Sequence, residues 1–300
     1  LLFVLITSAT VFIFEGNVKQ NTLKQIRVDL EETAERLKEV VTKSVANYKA
    51  DLRFLHSTPP IAGLPRAHFN SGVDAYDGTT YTQWKERLET IFIGFMENNL
   101  AVEQLRVIAI NAEGNELVRV QRRGAAVEAV PDYSLQNKAG EGYFLPSSQL
   151  GLKQIYMSPL SLNREFGDIS FPYKPMLRFA IPIYSEQGKR FAFLIMNVNA
   201  NQLISQLVET TFDYSHLVIT SSEGDVIYHP IEQYRFTRDL APDITWSSLY
   251  SRPIEYENTY FAEQRFSEQQ GVYIYSEKVQ TRPNNKYGFV NFNVLTPETY

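Results

Sequence analysis

A long, uninterrupted helical pattern between Asn17 and about Ser57 constrains this chain more than any other feature of its sequence. Apolar residues recur there at steps of three, four and seven, and charged residues fill most other positions. No glycine or proline interrupts the pattern before Pro59-Pro60, which is expected to end it. A helix of about 40 residues is about 60 Å long, and no single small module buries that length. We therefore predict that the helix runs along two stacked modules or pairs with a partner chain as a coiled coil.

The residues before this helix are apolar. The stretch LLFVLITSATVFIF holds no charged side chain, and eleven of its fourteen residues are apolar. It is shorter than the roughly 20 residues that span a bilayer, and the chain does not begin with Met. We predict that residues 1–14 are the end of a transmembrane helix, with a signal-peptide core or a buried helix as alternatives. The predicted dimerisation helix then covers residues 15–58.

The coiled-coil alternative implies a homodimer through this N-terminal helix. Leu30 and Leu37 are one heptad apart on the apolar stripe, and we expect them at the dimer seam. Cysteines placed at these two positions test the seam by crosslinking.

The composition removes several classes of function. The net charge of −5 argues against nucleic acid as a partner. The chain has no cysteine, which excludes disulfides, thiol nucleophiles and iron–sulfur clusters. The four histidines are scattered, and His56 and His68 are further apart than typical metal ligands. The common catalytic and nucleotide-binding motifs are missing from the sequence. We therefore expect no cofactor, no metal and no enzymatic activity in this region.

The next two segments differ in pattern. Residues 59–80 are rich in turn-forming residues, and we predict a loop there. A second helix is predicted from Trp84 to Met96, where apolar residues recur at helical spacing, and it ends near Asn98-Asn99.

The remaining chain is strand-like and contains an internal repeat. LRVIAINAEGNELVRV (105–120) resembles HLVITSSEGDVIY (216–228), because in each a glycine beside Asn or Asp separates two apolar runs. This is the pattern of a tight β-hairpin. RFAIPIYSEQGKRFAFLIMNVN (178–199) resembles GVYIYSEKVQTRPNNKYGFVNFNV (271–294), and both contain IYSE and a later Asn-Val. We interpret the two copies of IYSE as the start of the same turn in two related modules.

The offsets between the repeated segments indicate where the modules differ. The first pair of segments is 110 residues apart, whereas the copies of IYSE are 91 apart. The first module therefore has 19 more residues in its middle, between about Gln121 and Leu177. The predicted fold class is α+β, with a long N-terminal helix followed by tandem antiparallel-sheet modules at 59–200 and 201–300.

This order of elements resembles the double Cache (PDC-type, tandem PAS-like) periplasmic sensor region of bacterial transmembrane receptors. The resemblance covers about residues 15–300 and is carried most clearly by LRVIAINAEGNELVRV, YFLPSSQLGLKQIYMSPLSLNREFGDISFPYKPMLRFAIPIY and FLIMNVNANQL. These segments are similar to the membrane-distal module of sensor histidine kinases and diguanylate cyclases. The resemblance implies a distal module at 59–200, a proximal module at 201–300, and a ligand pocket between the distal sheet and its expanded middle.

Strand alternation within the implied pocket selects a set of polar residues among apolar ones. The candidate ligand-binding residues are Arg119, Tyr143, Tyr156, Ser158, Arg178 and Asn197. Arg178 or Arg119 can grip a carboxylate with two hydrogen bonds. For each arginine, the alternative is an exposed strand residue or a structural ion pair.

Two positions depart from the amino-acid-binding branch of the family. That branch has an Arg-x-Trp-Tyr motif in the loop, and the matching stretch here is Glu141-Gly142-Tyr143-Phe144, with a glutamate in place of the arginine. It also has an aspartate for the ligand amine where this chain has Asn197. An α-amino acid would lose two charge-assisted hydrogen bonds, each worth about 1.5–3 kcal/mol. We predict that ordinary α-amino acids are not the ligand.

The sequence as a whole favours an extracytoplasmic sensing domain of a transmembrane receptor of the histidine kinase or diguanylate cyclase type. It predicts an inner-membrane protein with this region in the periplasm. A small molecule would bind the distal module and shift a conformational equilibrium that the N-terminal helix transmits. The alternative is a constitutive periplasmic protein-interaction module without a small-molecule ligand, which a very small or apolar pocket would favour.

Overall fold

The computed structural model describes residues 2–110, 114–165, 167–211, 215–250, 266–269, 272–280 and 289–296. The chain divides into two compact units. We call Lys43–Leu203 the central unit, and Leu1–Thr42 together with Ile204–Tyr300 the terminal unit. The second division falls close to the module boundary predicted at 200/201, whereas the first falls inside the long helix.

The helices account for the periodic segments of the sequence. They are α1 (Leu2–His56), α2 (Pro59–Phe69), α3 (Tyr81–Asn98), α4 (Phe144–Ser148), α5 (Asn201–Glu209), α6 (Thr237–Leu240) and α7 (Trp246–Tyr250). Two short 3₁₀ turns occur at Asp132–Ser134 and Glu232–Tyr234. The predicted long helix is confirmed, and helix α1 also includes nearly all of residues 1–14. Within the part of the chain that the structure describes, no helix has the length and hydropathy needed to cross a bilayer.

The predicted seam positions on α1 are wrong. Leu30 and Leu37 are at most 1% exposed in the single chain, so both pack inside it and neither is available to a second copy. Lys38 on the same helix donates a 2.9 Å hydrogen bond to the buried Glu277 of the terminal unit. The apolar stripe of this helix segment is therefore used to build the terminal unit itself.

The loop predicted over residues 59–80 is wrong in its first half, because Pro59–Phe69 form helix α2. Proline is compatible with the first turn of a helix, where its missing N–H would have no partner anyway. The pair Pro59-Pro60 therefore ends α1 and also begins α2. Ile61 and Leu64 are buried on one face of the new helix, which supplies the packing that stabilises it.

Helix α3 confirms the second predicted helix. Its N-terminus has a reciprocal capping box, in which the Gln83 N–H donates to Thr80 Oγ1 at 3.2 Å and the Thr80 N–H donates to Gln83 Oε1 at 2.9 Å. The periodic apolar residues Trp84, Leu88 and Met96 are buried along one face. This face is the one that the periodicity predicts to face the core.

The central unit contains a seven-stranded sheet in the order β3-β2-β1-β9-β8-β4, with β5 also paired to β8. Its strands are β1 (Val102–Ala109), β2 (Glu116–Arg123), β3 (Ala126–Ala129), β4 (Tyr156–Met157), β5 (Ser161–Leu162), β8 (Pro175–Tyr184) and β9 (Arg190–Asn199). A separate two-stranded ribbon is formed by β6 (Arg164–Glu165) and β7 (Asp168–Ile169). One face of the main sheet is apolar and meets helix α1, where the rings of Tyr48 and Phe179 are 5.6 Å apart.

The terminal unit contains a five-stranded antiparallel sheet in the order β11-β10-β14-β13-β12. Its strands are β10 (His216–Ser221), β11 (Val226–Tyr228), β12 (Phe266–Gln269), β13 (Val272–Gln280) and β14 (Phe289–Leu295). The order of its strands matches that of β2, β1, β9, β8 and β4 in the central sheet. The α+β fold class with two related modules is confirmed.

The hairpins predicted from glycine turns are present. Strand β1 pairs with β2 and β10 pairs with β11, both antiparallel, and Gly114 and Gly224 have positive φ angles of 57° and 92°. Glu113 of the first turn lies outside the described residues. The positive φ explains why glycine is needed at these turns.

The interpretation of IYSE is wrong. The first copy ends β8 at Tyr184 and enters a turn, whereas the second copy lies in the middle of β13. In the two sheets it is Asn197 and Asn293 that correspond, because they pair with Arg178 and Ser276 on the preceding strands. The shared tetrapeptide therefore falls at different places in the two modules. With Asn197 and Asn293 as equivalent positions, 96 residues apart, the first module is longer by 14 residues (110 minus 96) and not by the predicted 19.

Candidate functional site

One face of the central sheet carries a group of polar residues whose positions follow from strand register. Arg106 on β1 lies opposite Arg119 on β2, and Arg178 on β8 lies opposite Asn197 on β9. Gln104 pairs with Asn197 across β1 and β9. Because alternate residues of a strand share a face, these side chains belong to one surface, opposite the surface that packs on α1.

Arg106 is the centre of the hydrogen bonding at this site. Its Nη1 donates to the Tyr143 hydroxyl at 3.1 Å and to Glu116 Oε1 at 3.4 Å, and its Nη2 donates to Asn197 Oδ1 at 2.9 Å. Among the described residues, its buried Nε has no hydrogen-bond partner. Burial lowers the pKa of Arg106, but Tyr143 and Glu116 offset this and leave that pKa raised.

Glu116 holds several parts of the site together. Its carboxylate lies 3.4 Å from Arg106 and 3.8 Å from Arg119, and its Oε2 accepts the backbone N–H of Gln136 at 3.0 Å. The side chain is fully buried. A single carboxylate therefore faces two arginines and also fixes the loop that follows β3.

Arg178 has a different environment. Its Nη1 donates to Ser161 Oγ at 2.9 Å, and its guanidinium lies 5.7 Å from the centre of the Tyr143 ring. Within the described part of the chain, no carboxylate lies within ion-pair distance of it. Burial lowers the pKa of Arg178, and the positive charge of Arg106 lowers it further.

The loop around Tyr143 closes over this face of the sheet. The Tyr143 ring lies under two guanidinium groups, with Arg106 at 5.4 Å and Arg178 at 5.7 Å from its centre. Burial raises the pKa of the Tyr143 hydroxyl, although Arg106 acts in the opposite direction. Lys138 from the same loop is buried beside Glu141, at 3.6 Å, and burial followed by repulsion from Arg106 lowers its pKa.

A cavity of about 400 Å³ adjoins this cluster. Gln104, Arg119 and Gln121 line it from the sheet, and Ser134 and Gln136 line it from the loop after β3. The remaining lining residues are Glu103, Arg122, Arg123, Val130, Asn163, Lys174 and Met176. Much of its wall comes from residues 130–176, the region that the sequence offsets identified as the expanded middle of the first module.

The structure brings the six predicted residues to the same side of the sheet but gives them different surroundings. Arg119 lines the cavity, while Tyr143 and Arg178 lie within the buried cluster. Ser158 uses its hydroxyl for backbone contacts, since it donates to the Pro159 carbonyl at 2.8 Å and accepts the Arg178 N–H at 3.0 Å. Tyr156 packs at the edge of the apolar group around Phe193.

Asn197 has both ends of its amide engaged within the protein. Its Oδ1 accepts from Arg106 and its Nδ2 donates to Gln104 Oε1 at 3.0 Å. The position that carries an aspartate in the amino-acid-binding branch therefore orients an arginine here. Glu141, which stands at the position of that branch's arginine, faces Lys138.

Sequence reasoning missed Arg106 and Glu116. Arg106 stands in the apolar run LRVIAI, and a charged residue at that point was the available signal. Its pairing with Arg119 depends on a register shift between Val107 and Ile108, which the sequence does not reveal. Glu116 is the first residue of β2, and its position suggested only the end of a turn.

Comparison with known proteins agrees with this architecture. The family model described as bacterial histidine kinase, sensor domain, matches residues 73–243, which is more than half of the chain. The chain therefore belongs to the family of bacterial histidine kinase sensor domains. This confirms the resemblance to a double Cache type of sensor. No curated protein matches the chain.

Solved structures give a similar picture at low identity. A domain from a protein of the sensory box/GGDEF type of Vibrio parahaemolyticus has a TM-score of 0.64 and 18% identity, covering 90% of this chain and 98% of its own. The extracellular domain of a protein described as a histidine kinase has a TM-score of 0.62 and 18% identity, with coverages of 90% and 93%. The ligand-binding domain of the Campylobacter jejuni chemoreceptor Tlp3, solved with L-valine, has a TM-score of 0.59 and 12% identity, with coverages of 94% and 96%. At these identities the similarity establishes the fold alone.

Proposed function

We propose that this region is the extracytoplasmic sensing domain of an inner-membrane receptor and that it binds a small molecule in the central unit. The observation that carries the proposal is the cavity of about 400 Å³ beside a buried polar cluster. Its volume lies within the roughly 300–1,000 Å³ of small-molecule pockets. A very small or apolar pocket would have favoured a protein-interaction module without a ligand. The cavity that the structure describes is neither, because its lining is largely polar.

The proposed response is a population shift that helix α1 transmits to the membrane. A ligand shifts such an equilibrium only by its difference in affinity for the two states. We propose that the receptor is a homodimer and that its output is a histidine kinase or a diguanylate cyclase. The six candidate residues and the prediction that ordinary α-amino acids do not bind are parts of this proposal.

A cavity-filling substitution tests ligand binding. Ser134 lines the cavity from an exposed 3₁₀ turn, so Ser134→Trp fills the cavity without disturbing the sheet. Tyr133 lies in the same turn and is 90% exposed, which makes Tyr133→Trp the matched control. We expect a metabolite panel to contain a compound that raises the thermal midpoint of the wild type and of Tyr133→Trp, but not of Ser134→Trp. Equal shifts in all three proteins, or no shift in the wild type with any class of compound, would refute binding in this cavity.

Crosslinking tests the dimer at revised positions. Val11, Phe14 and Val18 follow each other at steps of three and four on α1 and are 46–68% exposed, so they form an apolar stripe that the single chain leaves open. Cysteine at Val18 should crosslink in membranes, whereas cysteine at Gln20, on the other side of the helix, should not. Equal crosslinking at both positions would argue against a seam on this stripe.

A further inference from the structure

The charges of the buried cluster do not balance, and this bears on the class of ligand under the proposed function. Four cationic side chains of the site are at most 8% exposed, namely Arg106, Arg119, Arg178 and Lys138. Among the described residues of the site, Glu116 is the one carboxylate buried to the same degree. Glu141 adds a second negative charge but is partly exposed and faces Lys138. The site therefore has more buried positive charge than it neutralises.

Glu116, the single buried carboxylate of the described site, already has partners within the protein. Glu116 lies beside Arg106 and Arg119 and also accepts the Gln136 N–H. Arg106 has two further acceptors, the Tyr143 hydroxyl and the Asn197 amide oxygen. These contacts form a closed set that fixes the positions of the groups around it.

Arg178 is outside this set. It does not itself line the cavity, but Met176, two residues earlier on the same face of β8, does. The Ser161 hydroxyl accepts one of its hydrogen bonds, and the face of the Tyr143 ring lies against its guanidinium. Neither contact supplies a negative charge; Glu141 acts on Arg178 from beyond ion-pair distance and raises its pKa, but burial and Arg106 outweigh it. Taking an unpaired charge out of water is costly, and buried charges in proteins are normally paired. Arg106 adds to the cost because it places a second positive charge nearby.

We propose that the ligand is a small organic anion without an ammonium group and that one of its acidic groups pairs with Arg178. The guanidinium can form two parallel hydrogen bonds with a carboxylate. A ligand amine would bring a further cation to a site whose buried carboxylate is already shared by two arginines. Arg119, which faces the cavity, can receive a second acidic group at the other end of the ligand.

Matched probes that differ mainly in charge test the proposal. Butanoate, butanedioate, 4-aminobutanoate and 1,4-diaminobutane share a four-carbon chain and carry charges of about −1, −2, 0 and +2 at neutral pH. Each is titrated calorimetrically into the 300-residue chain in detergent, together with the corresponding compounds of two to six carbons. We expect a monoanion or dianion of one length to bind at least tenfold more tightly than the zwitterion and dication of that length.

The outcomes separate this inference from the proposed function. Preferential binding of the zwitterion or the dication of a given length would overturn the anion assignment and leave the sensing function intact. If no anion of either series binds, the anion assignment is also overturned, and the Ser134→Trp screen with a broad metabolite panel decides the sensing function separately.

Variants of Arg178 distinguish a ligand-binding role from a structural one. Arg178→Met removes a buried charge that has no carboxylate partner, so the unliganded protein should melt at or above the wild-type temperature. The same variant should lose about ten- to one hundredfold in affinity for the anion, as expected for a charge-assisted pair. Arg178→Lys keeps the charge without the planar fork and should lose less.

Two further arginines serve as controls. Arg106→Met leaves the buried Glu116 without its closest arginine, so the unliganded protein should melt at a lower temperature. Arg164→Met, on the exposed β6 strand, should change neither melting nor anion binding. A lower melting temperature for unliganded Arg178→Met together with unchanged anion affinity would assign Arg178 a structural role and overturn the proposal.

Discussion

The buried carboxylate of Asp74 ties together the loop between α2 and α3, and its removal should weaken the central unit. Arg66 Nε donates to both Asp74 oxygens at 3.0 Å, and Arg66 Nη2 lies 2.8 Å from Oδ2. Trp84 Nε1 donates to Oδ2 at 3.0 Å, and the Tyr76 N–H donates to Oδ1 at 3.1 Å. Asp74→Asn keeps the shape of the side chain but removes its charge and turns one acceptor into a donor.

The size of the effect follows from these contacts. Breaking a buried ion pair costs about 3–5 kcal/mol, and a hydrogen bond to a charged group contributes about 1.5–3 kcal/mol. The Arg66 side chain is 20% exposed and can recover part of its hydration, so we expect a loss of about 2–4 kcal/mol in the free energy of unfolding. For a unit of this size, that corresponds to a decrease of about 4–16 °C in Tm.

The pH dependence of this loss gives a second test. The hydrogen bond from Arg66 lowers the pKa of Asp74, and burial only partly opposes it. A carboxyl group whose folded pKa is depressed stabilises the protein above its unfolded pKa of about 3.9 and loses that contribution as pH falls through the folded value. The difference between wild type and Asp74→Asn should therefore be constant from pH 7 to about 5 and shrink below about pH 4.

Urea unfolding read by tryptophan fluorescence measures both quantities. The chain has two tryptophans, and Trp246→Phe leaves Trp84, which contacts Asp74, as the single reporter of the central unit. Asp168→Asn, at an exposed position on β7, is the control and should change the free energy of unfolding by less than about 0.5 kcal/mol. An Asp74→Asn effect as small as the control, or one that stays constant between pH 7 and pH 3, would refute the reasoning.

Two further predictions concern packing and pH. Gly63→Ala would place a Cβ 2.3 Å from the Trp84 ring, so it should lower the free energy of unfolding by about 1–3 kcal/mol in urea titrations. Gly94→Ala is the control, because the space around Gly94 is open; it should leave the free energy of unfolding unchanged or raise it by up to about 1 kcal/mol. Burial lowers the pKa of His229 to about 4, so the unfolded state binds the proton more readily and stability should decline as pH falls from about 6.5 towards 4. Burial also lowers the pKa of His56, so thermal melts of His229→Gln should show a smaller decline than those of the wild type, whereas melts of the exposed His216→Gln should retain the full decline; the reverse result would contradict the assignment.

Local chemistry made much of the fold predictable. The capped helix α3 and the glycine turn at Gly114 each depend on a few neighbouring residues, so a single sequence carries their signals. The turn at Gly224 has the same basis. The prediction of two related modules also used the copies of IYSE, but it succeeded because the glycine turns and the asparagines of the last strands do correspond.

The failures share a different cause, since each depended on which residues meet in three dimensions. Pro59-Pro60 can end one helix and begin the next, and only the burial of Ile61 and Leu64 on a helix that packs against α3 decides that α2 forms. The apolar stripe through Leu30 and Leu37 fits a second helix as well as a sheet of the same chain. The shared tetrapeptide IYSE carried no information about strand register, because register depends on which side chains pair across neighbouring strands.

The sequence predicted which strands carry the polar surface of the candidate site, but not how its side chains pair with each other. Period-two alternation identified Arg119, Arg178 and Asn197 as members of one polar surface, and the register confirms that they share it. The sequence did not show that Arg106 would join them, because a bulge at Leu117 in β2 sets that pairing. It also did not show that the Asn197 amide oxygen would accept a hydrogen bond from Arg106. That bond changes the expected role of Asn197 from contacting a ligand to orienting Arg106.

The contrast between Arg106 and Arg178 connects the chemistry of the site to signalling. Arg106 is held by Glu116, Tyr143 and Asn197, so its charge is paired without a ligand even though its Nε has no hydrogen-bond partner among the described residues. Arg178 lies against the same tyrosine but is buried without a carboxylate partner in the described chain, so the unliganded arrangement retains the cost of an uncompensated charge. Under the proposed function, an anion that pairs with Arg178 removes this cost, and we expect it to bind most tightly to the conformation that brings Tyr143 and the sheet together. That difference in affinity between conformations is the quantity that any ligand-driven population shift requires.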